Sequence, residues 1–185
     1  MRRLRYGVAM SLDGFIAGPI GEHDWFVSDP ALDFAAIHAQ FDTLLMGRGT
    51  YEVARNRRDS LSGSGHRWIV VSSTLKPEEH PGVTILSTGI VEAIAALKAQ
   101  PGKDIWLSGG GLLFRCLLDA GLVDAVEVVV MPVMLGSGVP LLPEGRRRTL
   151  HLEDSKALPS GILMLSYSIP AEAAAGGLAD PSLHI

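Results

Sequence analysis

Ile105-Trp106-Leu107-Ser108-Gly109-Gly110-Gly111-Leu112-Leu113-Phe114 sets three consecutive glycines between a short apolar strand and an apolar helix. No other stretch constrains the fold as strongly. It requires a strand that runs into a helix through backbone that glycine alone adopts freely, and it lets a ligand touch the main chain. A helix starting there aims unpaired N–H groups and the positive end of its dipole at that spot, which suits a phosphate. The same residues also fit a plain strand-to-helix turn, so the choice between the two depends on the rest of the chain.

Periodicity and turn residues predict strands over residues 5–12, 15–17, 43–46, 68–72, 83–86, 104–107, 123–134, 148–157 and 162–169. A helix is expected from Asp29-Pro30, an N-cap acceptor followed by proline at the first helical position, up to Phe41. Others are expected over 51–56, after Thr88 as cap, and over 112–120 with Gly121 as the left-handed residue beyond the end. Residues 57–66 and 136–143 read as loops. The strand over 68–72 is apolar throughout and is expected near the centre of the sheet. Strands alternating with helices at this spacing predict an α/β fold: a mostly parallel central sheet, covered on both faces, with an antiparallel C-terminal hairpin. One domain over residues 1–170 and a loose tail over 171–185 follow.

A formal charge of −4 over 185 residues gives no basic field to attract nucleic acid or an anionic membrane. The apolar stretch after Arg2, Arg3 and Arg5 is broken by Asp13, too early for a secretory signal, and no apolar run approaches the roughly 20 residues that span a bilayer. A cytoplasmic location is the expectation. The single cysteine, Cys116, sits at apolar helical spacing and is expected to be a buried thiol. Six scattered histidines, with no His-Glu-x-x-His and no zinc-deaminase pattern, predict no metal site. A Walker A sequence is absent, and Phe114 stands where a Rossmann fingerprint needs its last glycine.

Three further stretches fall at the C-terminal ends of predicted strands, where open α/β sheets bind ligands. Met46-Gly47-Arg48-Gly49-Thr50 puts an arginine at a helix start, where a cation is out of place unless an anion sits beside it. Val70-Val71-Ser72-Ser73-Thr74 offers three hydroxyls, which capping explains equally well. Ser11-Leu12-Asp13-Gly14-Phe15-Ile16-Ala17 is a turn between two strands.

In this order, and with Pro132-Val133-Met134-Leu135-Gly136-Ser137-Gly138-Val139-Pro140-Leu141-Leu142, these motifs resemble the dihydrofolate-reductase-like superfamily. Within it they are most similar to the reductase domain of riboflavin biosynthesis, the RibD C-terminal domain. The resemblance implies a three-layer fold, an eight- or nine-stranded sheet, a homodimer and an NADPH-dependent reductase acting on a pyrimidine- or pterin-like heterocycle. It implies that Ala9, Ile16 and Ala17 line the nicotinamide site. Gly47, Arg48, Gly49 and Thr50 would meet the pyrophosphate and 2′-phosphate, Ser72 and Ser73 the adenosine phosphate. Gly109, Gly110, Gly111, Leu112 and Leu113 would cradle the pyrophosphate. A guanidinium gripping a phosphate through two donors favours NADPH over NADH.

A carboxylate near the substrate ring would manage the proton. Asp29 is the better N-cap, which leaves Asp33, one turn further, as the candidate acid. Phe15, Trp25 and Phe34 are the candidate substrate contacts. Phe15 occupies the place where the biosynthetic pyrimidine reductases carry lysine, which points to a smaller, less charged substrate than a phosphoribosyl compound. Readings from other classes are a nucleotide-binding protein without catalysis and a dimerisation module.

Overall fold

The computed structural model describes residues 1–56 and 65–170. Expectations for the rest of the 57–66 loop and for the 171–185 tail lie outside the described residues. Its ten strands are β1 (Leu4–Ser11), β2 (Phe15–Ala17), β3 (Phe41–Gly47), β4 (Arg67–Val71), β5 (Val83–Leu86), β6 (Asp104–Gly109), β7 (Ala125–Met131), β8 (Val139–Pro140), β9 (His151–Ala157) and β10 (Leu163–Ser168). The helices are α1 (Phe34–His38), α2 (Arg48–Asn56), α3 (Ile90–Ala99) and α4 (Gly111–Asp119), with a 3₁₀ turn over Pro77–Glu79.

Eight strands form one sheet in the order β5-β4-β3-β6-β1-β7-β10-β9, while β2 and β8 make a separate ribbon. Pairing is parallel from β5 through β7 and antiparallel on both sides of β10, as the α/β reading with a C-terminal hairpin expects. Alternation along the strands sorts side chains into two layers. Leu4 and Tyr6 of β1, Ile105 and Leu107 of β6 and Val126, Val128 and Val130 of β7 meet Ile94 and Leu97 of α3 and Leu113, Phe114 and Leu117 of α4. On the opposite face Leu44, Met46, Trp68 and Val70 pack against Tyr51 of α2. Leu32, Met131, Leu158 and Ile162 gather Trp25 and Ile37 into a third cluster. The result is three layers.

Four expectations are corrected. The stretch after Asp29-Pro30 is a turn, because Leu32 is drawn into the third cluster and the Leu32 N–H bonds Asp29 O at 3.0 Å; the helix begins only at Phe34. Gly89, in the left-handed conformation at φ +59°, stands at the start of α3 in place of Thr88. β4 lies one strand from the edge; its apolar run reflects cover on both faces, not centrality. The loop over 136–143 contributes β8, two residues long and too short to leave a periodic signal. Beyond α4, Gly121 at φ +69° closes the helix as expected, its N–H bonding Leu118 O while Leu122 N–H reaches Leu117 O. Among the described residues no helix is long and apolar enough to cross a membrane.

Candidate active site

Because β3, β4, β5 and β6 run parallel, their C-terminal ends release α2, the turn after Val71, α3 and α4 along one edge of the sheet. Gly47, Arg48, Gly49, Thr50, Val71, Ile90 and the whole of Gly109, Gly110, Gly111, Leu112 and Leu113 line a single cleft of about 1310 Å³. The first residues of α2, α3 and α4 therefore converge on it.

The triplet shapes the near wall. Gly109 has φ +143°, a region that L side chains rarely adopt, and a Cβ there would lie 2.7 Å from Thr50 Oγ1. The Gly109–Gly110 peptide is cis. Gly110, extended, stands just before α4, and Phe114 N–H closes the first helical turn on its carbonyl at 3.0 Å. A Cβ at Gly111 would meet Pro143 Cδ at 3.0 Å, so helix and 140–143 segment close upon each other without a side chain between. Beneath them Ser108 Oγ is buried without a partner among the described residues, in a residue that lines the same cleft.

Arg48 projects from the start of α2, half exposed; its Nη1 donates to Thr74 Oγ1 at 3.0 Å and its Nε lies 3.6 Å from Glu52. Ser72 does not line the cleft. Its buried hydroxyl accepts the N–H groups of Thr74 and Leu75 at 3.2 and 3.1 Å, fixing the turn that offers Thr74 to Arg48. Ser73 is exposed on that turn. Thr74 was visible in the sequence only as the third hydroxyl of the stretch.

Ala9, Ile16 and Ala17 line the cleft from the β1–β2 side. Asp13 secures this corner: Oδ1 accepts Ser11 Oγ–H at 2.6 Å and Leu135 N–H at 3.1 Å, and Oδ2 accepts Gly136 N–H at 2.7 Å. The Ser11 bond, helped by the two N–H groups, holds the carboxyl below its ordinary value. Gly138 lets the ribbon form, since a Cβ on it would fall 2.2 Å from Ala17 O.

The remaining candidates divide. Phe34, exposed, lines the cleft, and so does Phe26, which sequence reasoning passed over beside Trp25. Trp25 itself turns into the third cluster, its Nε1 donating to Glu22 O at 3.2 Å. Phe15 pairs with Pro140 in the ribbon, outside the cleft lining. Asp33, not Asp29, is the helix cap. Asp33 Oδ1 accepts Ala36 N–H at 2.9 Å as the N-cap of α1, and the side chain is exposed and outside the lining. Asp29 instead pins the final hairpin, accepting Ala31 N–H and Ser160 N–H at 2.8 and 3.1 Å. Cys116 is exposed and lines the cleft, against its expected burial: the core-facing stripe of α4 is Leu113, Phe114, Leu117 and Leu118, and Cys116 lies with exposed Leu112 on the other side.

Parallel strand ends, converging helix starts and a glycine-walled cleft define an α/β domain with a ligand cleft at the carboxyl edge of its sheet. Residues 2–164 match the RibD C-terminal domain family. The chain belongs to that family. It is 32% identical over 177 residues to YyaP of Bacillus subtilis strain 168, itself uncharacterised, covering 90% of this chain and 94% of that one. The crystal structure of a putative riboflavin biosynthesis protein from Shewanella sp. PV-4 superposes with a TM-score of 0.79 at 26% identity, covering 91% of this chain and 99% of the other. Dihydrofolate reductase from Enterococcus faecalis, solved with NADP(H), shares the fold with a TM-score of 0.68 at 20% identity, over 91% and 97% of the two chains.

Proposed function

We propose that this protein is an NADPH-dependent reductase whose substrate is a small nitrogen heterocycle, pyrimidine- or pterin-like, and that it is similar to the 5-amino-6-(5-phosphoribosylamino)uracil reductases. The observation that carries this reading is the convergence of three helix starts and Arg48 on one cleft whose wall at Gly109 has no room for a side chain.

The residues present fit the cofactor. The start of α4, which no side chain caps, and the bare backbone of Gly109–Gly111 accommodate a diphosphate. Arg48, steadied by Thr74 on the turn that Ser72 holds and Ser73 completes, supplies the cation for a 2′-phosphate. Glu52 beside it keeps the guanidinium aligned when no anion is there. Ala9, Ile16 and Ala17 give the nicotinamide a wall of small and apolar groups.

NADPH, when bound, supplies the hydride; the protein's part is to hold two flat rings face to face and exclude water. Phe34 and Phe26 cover the substrate side. Asp33 positions Phe34 by capping α1, and Trp25 and Phe15 brace the walls behind it. The capping role of Asp33 favours one second reading, binding without turnover. Following the loss of reduced nicotinamide across pyrimidines, pterins and small carbonyls separates the two. Turnover with a heterocycle is expected; tight NADPH binding with no turnover on any of them supports the second.

A further inference from the structure

The cleft extends past the cofactor cradle onto a face of the sheet that the helices leave open, and its floor there is a polar row. Register sets Gly7, Glu127, Ser166 and Asp154 side by side across β1, β7, β10 and β9. All four line the cleft. In the adjoining row Ala9, Val129 and Met164 line it too and are apolar, and the row ends at the sheet edge in Lys156. Trp106 closes the other side, its indole N–H donating to Gly7 O at 2.8 Å over a glycine whose Cβ would lie 2.6 Å from that nitrogen.

Arg5, the cation beside this row, is already committed. Its Nε and Nη2 both donate to Glu127 Oε1, at 2.9 and 2.6 Å. Nη1 donates to Gln40 at 2.9 Å and Asp104 at 3.3 Å, and the guanidinium sits 4.6 Å from the Phe41 ring centroid. A guanidinium spent in this way cannot turn to a phosphate. It can fix the Glu127 carboxylate with one oxygen loaded and Oε2 left to accept. Asp154 adds a second carboxylate from the exposed edge strand; Lys156, two residues along, pairs with Met164 and does not line the cleft. Arg48 lies away at the starts of the helices.

We propose that Glu127 is the specificity-determining residue of the substrate half of the cleft. Its Oε2, with Ser166 and Asp154 beside it, accepts hydrogen bonds from the ring N–H and amino groups of a flat, unphosphorylated heterocycle lying over Ala9, Val129 and Met164. The same carboxylates disfavour a phosphoribosyl substituent, because a phosphate beside Glu127 and Asp154 meets like charge. This rests on the reductase reading and narrows its substrate class to donor-rich rings of neutral or positive charge.

The test is calorimetric titration of the whole chain with 5,6-diaminouracil and with 5-amino-6-(5-phosphoribosylamino)uracil, each with and without NADPH. The bare ring is expected to bind about tenfold or more tightly than the phosphoribosyl compound, the scale of one charged hydrogen bond. Glu127→Gln keeps an acceptor for Arg5 and is expected to weaken the bare ring about tenfold and narrow the ratio. Asp154→Asn, on the exposed edge strand, is expected to narrow the ratio as well. Tighter binding of the phosphoribosyl compound, no binding of the bare ring, or a ratio unchanged in both variants overturns the proposal. NADPH titration of the same samples reports separately: its failure sinks the reductase reading, whereas intact NADPH binding with an unchanged ratio sinks the role of Glu127 alone.

Discussion

Gly109 is where fold and site meet. Its φ of +143° and the 2.7 Å that would separate a Cβ from Thr50 Oγ1 both oppose any side chain. Gly109→Ala is therefore expected to destabilise the protein by about 1–3 kcal/mol, the usual cost of forcing an L-residue into such a conformation, and to weaken NADPH binding with it. Denaturant unfolding and a cofactor titration check the two; a variant as stable as the parent contradicts the geometry. The glycines were legible in the sequence because glycine is the residue that marks unusual backbone. Thr50 was legible in its own motif, but that it is the neighbour which leaves Gly109 no room for a side chain was not, because it lies far off in the chain. The carboxylates show the same limit. Asp29 and Asp33 have equal capping chemistry, and what separates them is Ser160, more than a hundred residues away. Cys116 is exposed because α4 is apolar on two sides, and the sequence does not show that Leu113, Phe114, Leu117 and Leu118 are the side that the core covers.

Among the elements, α1 departs most from its expected form: a pattern that promised a helix from Asp29 yields five residues, Phe34–His38. Tertiary contacts hold the little that forms. His38, in its last turn, packs edge-on against Trp106 with ring centroids 4.8 Å apart and stands 5.5 Å from His66, whose Nε2 lies 3.1 Å from His38 O. Burial first, and the neighbouring His66 second, push the His38 imidazole below its ordinary value. The unfolded chain therefore takes up this proton more readily than the folded one. Stability is expected to fall as pH drops below about 6.5, the ordinary histidine value, toward the depressed folded value. Melting temperatures across that window check this: the acid-side loss should shrink in His38→Leu, and an identical profile in the variant contradicts it. The long strands and α4 were legible from periodicity alone, since each carries several turns or alternations of signal. β8 was not, because two residues carry no period.

At the scale of the whole molecule, alternation of strand and helix was enough to predict a parallel sheet with a final antiparallel hairpin, and the sheet has that form. Strand order was not legible: β4 reads as central and lies next to the edge strand β5, because cover on both faces, not position, makes a strand apolar throughout. β9 ends the sheet at the other side, exposed at all seven residues and paired on one side only, an edge that another chain can extend. A second copy of this chain paired there would make a homodimer. Sedimentation at micromolar concentration is expected to give twice the mass of the chain, and a single-chain mass refutes the dimer. The central claim is that the converging helix starts and Arg48 hold the phosphates of NADPH. Calorimetric titration with NADPH and NADH, on the protein and on Arg48→Ala, tests it most directly. NADPH is expected to bind about tenfold or more tightly than NADH, with that preference lost in Arg48→Ala and NADH affinity unaltered. No binding of NADPH below millimolar concentration, or equal affinity for the two cofactors in the unsubstituted protein, would contradict it.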